Sequence, residues 1–325
     1  MGGILDLAAA NLLSPAILSF ALGLGAALLR SDLSVPEAAA KALSIVLLFS
    51  IGFKGGAAVA AHGADARLLA AIASGVLLSL GLPVVAFALL GWLTRLGRIN
   101  RAAVAAHYGS ISIVTFAAAT SMVQAKGFAA EGYMVAVAAA MEAPAIVTAL
   151  WLASRGGAGG APEPGLWREV MLNGSIVLLL GAFLIGLVTG EAGLARIEGL
   201  VVTPFQGLLC LFLLDMGLVA GRGLLRSRGV LSGGAVAFGL LMPLVGAALG
   251  LLAALLVGLS PGGAALMATL AASASYIAVP AAMRVALPEA DPAVYLTLSL
   301  GVTFPFNLTV GLPLYLAAAQ WIAGG

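Results

Sequence analysis

Charge is what this sequence has least of. Asp, Glu, Lys and Arg make up 9% of its 325 residues, where a soluble domain carries about 25%. That excludes an ordinary water-facing surface. With 62% hydrophobic residues and a mean hydropathy of +1.15, the chain reads as an integral membrane protein. Cysteine is nearly missing: the lone Cys210 sits in an apolar run, so neither an intramolecular disulfide nor a zinc cluster can form. The few basic residues are scattered among connections, and a net charge of +2 gives no nucleic-acid surface. There is no Gly-x-x-x-x-Gly-Lys-Ser/Thr phosphate loop and no His-Glu-x-x-His metal pair. No Lys or Arg precedes the first apolar run, and Arg30 follows it, so that run reads as a membrane span rather than a cleavable leader.

What is present is a tenfold recurrence of apolar segments near the ~20 residues needed to cross a bilayer. Five run near 13–30, 38–60, 67–93, 101–124 and 131–154, and five more near 167–190, 202–221, 231–257, 261–286 and 292–322. Between the two sets lies a Gly/Pro-rich stretch, Gly156 to Gly165, the candidate linker. Residues 1–155 and 166–325 are then two five-span units, joined by a short cytoplasmic linker at 156–165.

The units match one another. Leu48-Phe-Ser-Ile-Gly-Phe-Lys-Gly-Gly56 aligns with Leu213-Leu-Asp-Met-Gly-Leu-Val-Ala-Gly221, Pro83 with Pro243, and Met141-Glu-Ala-Pro144 with Val302-Thr-Phe-Pro305. The offsets are 165, 160 and 161. A duplicated unit with an odd number of spans must enter the membrane upside down. The expected fold is therefore all-α, with ten transmembrane helices in two inverted five-helix repeats. Eleven Lys/Arg lie in or near the odd-numbered connections, from Arg30 and Lys41 to Arg222 and Arg284, against Arg67, Lys126 and Arg196 in the even ones. This bias puts the odd connections in the cytoplasm and both termini outside.

Midway along the fourth and ninth spans lie Ala105-Ala-His-Tyr-Gly-Ser-Ile-Ser-Ile-Val-Thr115 and Thr269-Leu-Ala-Ala-Ser-Ala-Ser-Tyr-Ile-Ala-Val-Pro280. Aligned on Ser-x-Ser, Ser110 falls on Ser273 and Ser112 on Ser275, an offset of 163. Backbone that loosens at membrane depth survives only when it is buried in protein or lines a cavity. Paired interruptions in matching positions of two halves point to a transporter's substrate site. Helices 4 and 9 are expected to break near 109 and 272, leaving unpaired N–H groups and a helix dipole of roughly +0.5 charge that favour an anion. Gly109, Ser110, Ile111 and Ser112, with Ala272, Ser273, Ala274 and Ser275, are the candidate substrate residues. The competing reading is plain helix packing by small residues.

Glu142 lies mid-span before Pro144. A carboxylate at the bilayer centre costs roughly 2.5–3.5 kcal/mol on insertion scales and marks an ion path by default. Thr303 stands at its position in the second unit, with Asn307 four residues on. Glu142, Thr303 and Asn307, with Ser112 and Ser275, are the candidate oxygen ligands for sodium; a structural ion pair or a protonated acid is the alternative for Glu142. Asp215 and Lys54 are either site or scaffold, and a pair between them would be structural. His107, one turn before Ser110, invites a hydrolase reading, but no orienting acid or nucleophile elbow accompanies it. No catalytic role is expected.

At Ile51-Gly-Phe-Lys-Gly-Gly56, Ala105 to Phe116, Glu131-Gly-Tyr-Met134, Met141-Glu-Ala-Pro-Ala-Ile146 and Ala272 to Arg284, the chain resembles the sodium-dependent bicarbonate transporters (Sbt-type permeases). The resemblance implies sodium-coupled bicarbonate import across a bacterial inner membrane, with sodium as coupling ion and no cofactor. It implies a gate domain of helices 1, 2, 6 and 7 and a core domain of helices 3–5 and 8–10, assembled as a homotrimer. It also implies a cytoplasmic PII-like nucleotide-binding regulator, although the connection between helices 5 and 6 is only about a dozen residues, shorter than the resemblance leads one to expect. Physical reading alone stops at a cation-coupled carrier for a small anion. Its rivals are a cation/proton antiporter, which needs a titratable carboxylate at the crossing, a small-anion channel, and an intramembrane enzyme.

Overall fold

The computed structural model describes residues 12–62, 66–155, 172, 174–226 and 232–323, and among these the only regular structure is helical. The linker read at 156–165 lies outside the described residues. The first unit holds α1 (Pro15–Leu28), α2 (Glu37–His62), α3 (Ala66–Leu93), α4 (Arg98–Gly109), α5 (Ile113–Ala125), α6 (Met134–Ala140) and α7 (Pro144–Ser154). The second holds α8 (Gly174–Arg196), α9 (Glu198–Val201), α10 (Phe205–Arg226), α11 (Gly233–Val257), α12 (Pro261–Ala272), α13 (Ala278–Ala286), α14 (Pro292–Leu296), α15 (Phe304–Phe306) and α16 (Leu312–Ala323). Wide π turns at Thr297–Thr303 and Asn307–Gly311 connect the last three.

Among the described residues, eight helical segments are long and apolar enough to cross a membrane, and α1 and α12 are shorter apolar helices. The chain is a multi-pass membrane protein. The seventh span runs five residues beyond its expected end at 221, because α10 continues to Arg226.

Helix starts follow local chemistry. Ser14, Ser232 and Ser260 accept the N–H of Ile17, Ala235 and Gly263 at 3.3, 3.2 and 3.1 Å, each satisfying a donor that the helix ladder leaves free. Pro15, Pro261 and Pro292 take first-turn positions, where their missing N–H costs nothing.

The helices pack mostly within two groups. In one, α2 lies along α8 and α1 along α10. Both contacts depend on glycine: a Cβ on Gly56 would stand 1.9 Å from the Phe183 carbonyl oxygen, and one on Gly217 2.2 Å from that of Phe20. In the other group, α3 packs on α4 and α7, α11 on α12, and α3 and α11 on each other. That second group carries the two interrupted spans.

Candidate functional site

Helical backbone stops at the same place in both units. Ser110 follows α4 with φ −90° and ψ 170°, and Ser273 follows α12 with φ −84° and ψ 162°. Both are extended conformations that end a helix. The two interruptions then cross. The Ser275 N–H donates to the His107 carbonyl at 2.8 Å, and the Ser112 N–H donates to Ser273 Oγ at 2.9 Å. Ser273 Oγ passes its own proton to the Leu270 carbonyl at 2.9 Å.

Beyond the crossing, Ser112 caps α5, accepting from the Thr115 N–H at 3.3 Å and from Thr115 Oγ1 at 2.9 Å. Its own hydroxyl proton is left to donate. Ser275 Oγ lies 3.5 Å from the Val279 N–H in the first turn of α13. Thus α5 and α13 both begin at the crossing, with first-turn N–H groups directed there.

Glu142 reaches the same place. It sits between α6 and α7, where Ser79 is inserted into the gap: Ser79 Oγ donates to the Met141 carbonyl at 2.7 Å and accepts the Ala145 N–H at 3.2 Å. This staple satisfies backbone groups that Pro144 leaves without helical partners. A cavity of about 10 Å³ is lined by Ser112, Glu142, Ser275, Tyr276 and Ile277 among others. Glu142 is 5% exposed, and its Oε2 is buried with no hydrogen-bond partner. A lone carboxylate oxygen in so dry a place calls for a cation or a proton.

Of the other residues singled out from the sequence, Ile111 is part of the cavity wall, and Ser110 beside it has a buried Oγ without a partner. Gly109 has a packing role: a Cβ there would meet Pro83 Cγ at 2.3 Å and Ala145 Cβ at 2.8 Å. Ala272 gives its carbonyl to Asn307 Nδ2 at 2.9 Å, and Ala274 is buried against apolar neighbours. The structure does not bring Thr303 and Asn307 into the cavity wall. Thr303 Oγ1 donates to the Gly239 carbonyl at 2.7 Å and meets the Tyr108 hydroxyl, while Asn307 Oδ1 accepts from Tyr315 at 2.7 Å.

Lys54 and Asp215 go separate ways: the Lys54 ammonium stands 4.2 Å from the centre of the Phe205 ring, and Asp215 is buried on α10. The His107 ring hydrogen-bonds to the Ala103 carbonyl at 2.7 Å and stacks on Tyr295 at 4.4 Å, so it forms no pair with Ser110.

The sequence reading did not single out two residues that the geometry makes prominent. Ser79 had one legible signal, a hydroxyl in an apolar span four residues before Pro83. Tyr276 borders both the small cavity and a far larger one of about 720 Å³ between α10 on one side and α13, α14 and the first π turn on the other. Arg222 and Arg284 line that vestibule. A separate crevice of about 360 Å³, lined by Ser14, Lys126, Gln206 and Cys210, opens elsewhere and contains no residue of the crossing.

A family model for the Na+-dependent bicarbonate transporter superfamily matches residues 15–320. The chain belongs to that superfamily. Membership places this all-helical, multi-pass chain among membrane transporters. No curated protein was found to match it.

Proposed function

We propose that the chain is a secondary transporter that couples sodium to bicarbonate import by alternating access. The observation that carries this is the meeting of Glu142 with Ser112 and Ser275 at one cavity, in a chain of this superfamily. Sodium and the first-turn N–H groups supply opposite halves of the required field. The cation answers the bare Glu142 oxygen, and the starts of α5 and α13 answer the anion. Glu142, Ser112 and Ser275 are the sodium ligands we retain; Thr303 and Asn307, already hydrogen-bonded elsewhere, contribute through the shape of the tenth span. Ser110, with its unpartnered hydroxyl, and Ser112 hold the anion, and Ser273 fixes the crossing.

Ten spans in two inverted repeats account for the reciprocal contacts. Gly52 and Gly56 of α2 press on Leu179 and Phe183 of α8, and Gly217 and Gly221, 165 residues later, press on Phe20 and Ala27 of α1. The gate is α1, α2, α8 and α10; the core is α3–α7 and α11–α16. Arg222 and Arg284 mark the cytoplasmic side under the Lys/Arg rule, so the vestibule between them makes this conformation open inward, with both termini outside a bacterial inner membrane.

Proteoliposomes with a sodium gradient should accumulate labelled bicarbonate, and collapsing the gradient should release it. Uptake indifferent to sodium would end the coupled reading. Cation/proton exchange is the second reading, favoured by one observation: a carboxylate does line the crossing. It requires sodium-driven proton movement without bicarbonate, which a pH-sensitive dye inside the same vesicles would report.

A further inference from the structure

We propose that Tyr276 is the door of the binding site on the vestibule side, and that it sets the size of anion that passes. The inference rests on the reading of the crossing as the transport site. Its starting point is a mismatch of sizes. A space of about 10 Å³ accommodates one water-sized species, which suits a sodium ion. Bicarbonate has four heavy atoms and does not fit until a wall moves. Tyr276 and Ile277 are the two residues common to the walls of the small cavity and the 720 Å³ vestibule. Ile277 is 42% exposed and forms only a lip. The Tyr276 ring lies between the two spaces, partly buried, with its hydroxyl wholly buried and lacking a well-formed hydrogen bond, directed at Ser112.

The ring is held by aromatic edges. It meets Phe304 at 5.3 Å and 66°, and Phe304 meets Phe20 at 5.5 Å and 81°. Phe20 belongs to α1 and Phe304 to the tenth span, so this stack of three rings bridges the two helix groups. Shifting one group against the other unstacks Phe20 from Phe304 and releases the door. Each such edge contact is worth little alone, which suits a part that must open.

The opposite side is closed differently. Ile113 stands 163 residues before Tyr276, where Tyr276 falls in the alignment of the two units. It also lines the small cavity, but behind it Val114 and Ala117 close against Leu48, Ile51 and Phe212 with a void of only about 10 Å³. One face of the site is shut by packed helices, and the other by a single ring.

The test uses the full chain with Cys210→Ser and Ser112→Cys, so that one thiol sits where the Tyr276 hydroxyl points. A charged, water-soluble methanethiosulfonate reagent should modify it slowly in solubilised protein. Adding Tyr276→Ala should raise the rate about tenfold, the factor given by ~1.4 kcal/mol of lost closing free energy. Tyr276→Phe, which keeps the slab and loses only the hydroxyl, should stay slow. Tyr276→Val, with more packing left against Phe304, should react fast and guards against misfolding of the alanine variant. In parallel, benzoate should compete with bicarbonate for binding in Tyr276→Ala, with Ser112 intact, and not in the unsubstituted protein. Equal thiol rates with and without the ring would overturn the door, as would benzoate competition in the unsubstituted protein. The thiol readout needs no transport, so a protein that fails to move bicarbonate refutes the transport reading separately.

Discussion

The two interruptions look alike in sequence and in backbone, yet they do opposite work. Ser273 Oγ is engaged both ways, receiving the Ser112 N–H and donating to Leu270. Ser110 Oγ, its counterpart, is buried with no partner at all. The same division appears one helix away. In the first unit a serine of α3 reaches into the gap of the fifth span and leaves Glu142 facing the cavity. In the second unit the tenth span's Thr303 reaches out to the Gly239 carbonyl of α11 and is absent from the cavity wall. On the reading proposed above, the first unit with Ser110, Ser112 and Glu142 supplies most of the ligands, and the second, apart from Ser275, most of the frame.

Glu142→Gln strikes at the ligand half and should have the largest effect. Shape and hydrogen bonding persist but the charge goes, so the sodium enhancement of bicarbonate binding, expected within roughly 5–150-fold for coupled sites, should collapse to near unity. Titrating bicarbonate binding at several sodium concentrations measures it; an undiminished enhancement would hand the ion site to the serines. Ser273→Ala strikes at the scaffold half. It strands the Ser112 N–H in a dry place, at about 1–3 kcal/mol, while the Leu270 carbonyl keeps the backbone N–H of residue 273, and it should lower the midpoint of thermal unfolding.

Ser110→Ala breaks no bond within the protein. It should leave that midpoint alone and weaken bicarbonate binding by about 0.5–1.5 kcal/mol, and equal thermal shifts in the two alanine variants would erase the contrast. Leucine at position 110 should abolish transport by bulk. The smallest effect on binding belongs to Thr303→Val: stability falls because the Gly239 carbonyl and the Tyr108 hydroxyl both lose a partner, with sodium enhancement unchanged. A fall in that enhancement would return Thr303 to the ion site.

Much of the frame was legible before any coordinates. Apolar run lengths located the eight long apolar helices among the described residues, and the Ser-x-Ser pairs drew attention to 110–112 and 273–275, where helical backbone stops. Glu142 was legible because a mid-membrane carboxylate has few reasons to be there. The partners were harder. Matching positions imply matching roles only if hydrogen bonds match, and those of Ser79 and Thr303 run in opposite directions between helices. Nothing in a linear string distinguishes a hydroxyl that fills a helix gap from one that reaches across to a neighbour. Gly109 was read as a substrate contact for its smallness, whereas that smallness accommodates Pro83. Tyr276 was visible only as an aromatic near a break, since a wall shared by two cavities is a property of the folded chain.

The loops at the outer ends of the crossing helices are exchanged between the halves. Glu131, in the connection before α6, accepts the Ser260 N–H at 2.7 Å and the Ser260 hydroxyl at 3.0 Å just ahead of α12. Asn100, in the first turn of α4, accepts the Asp291 N–H of the connection before α14 at 2.8 Å. In both clasps the first half supplies the accepting side chain and the second half the N–H. Expressed alone, neither would be complete at those ends, and the clasps are not interchangeable, one being a carboxylate at a helix N-terminus and the other an amide oxygen on a loop. Two copies of the first half would set acceptor against acceptor, and two of the second N–H against N–H, so neither kind of clasp would close. The clasps therefore dictate the pairing: a first half closes only on a second half, which a single continuous chain guarantees.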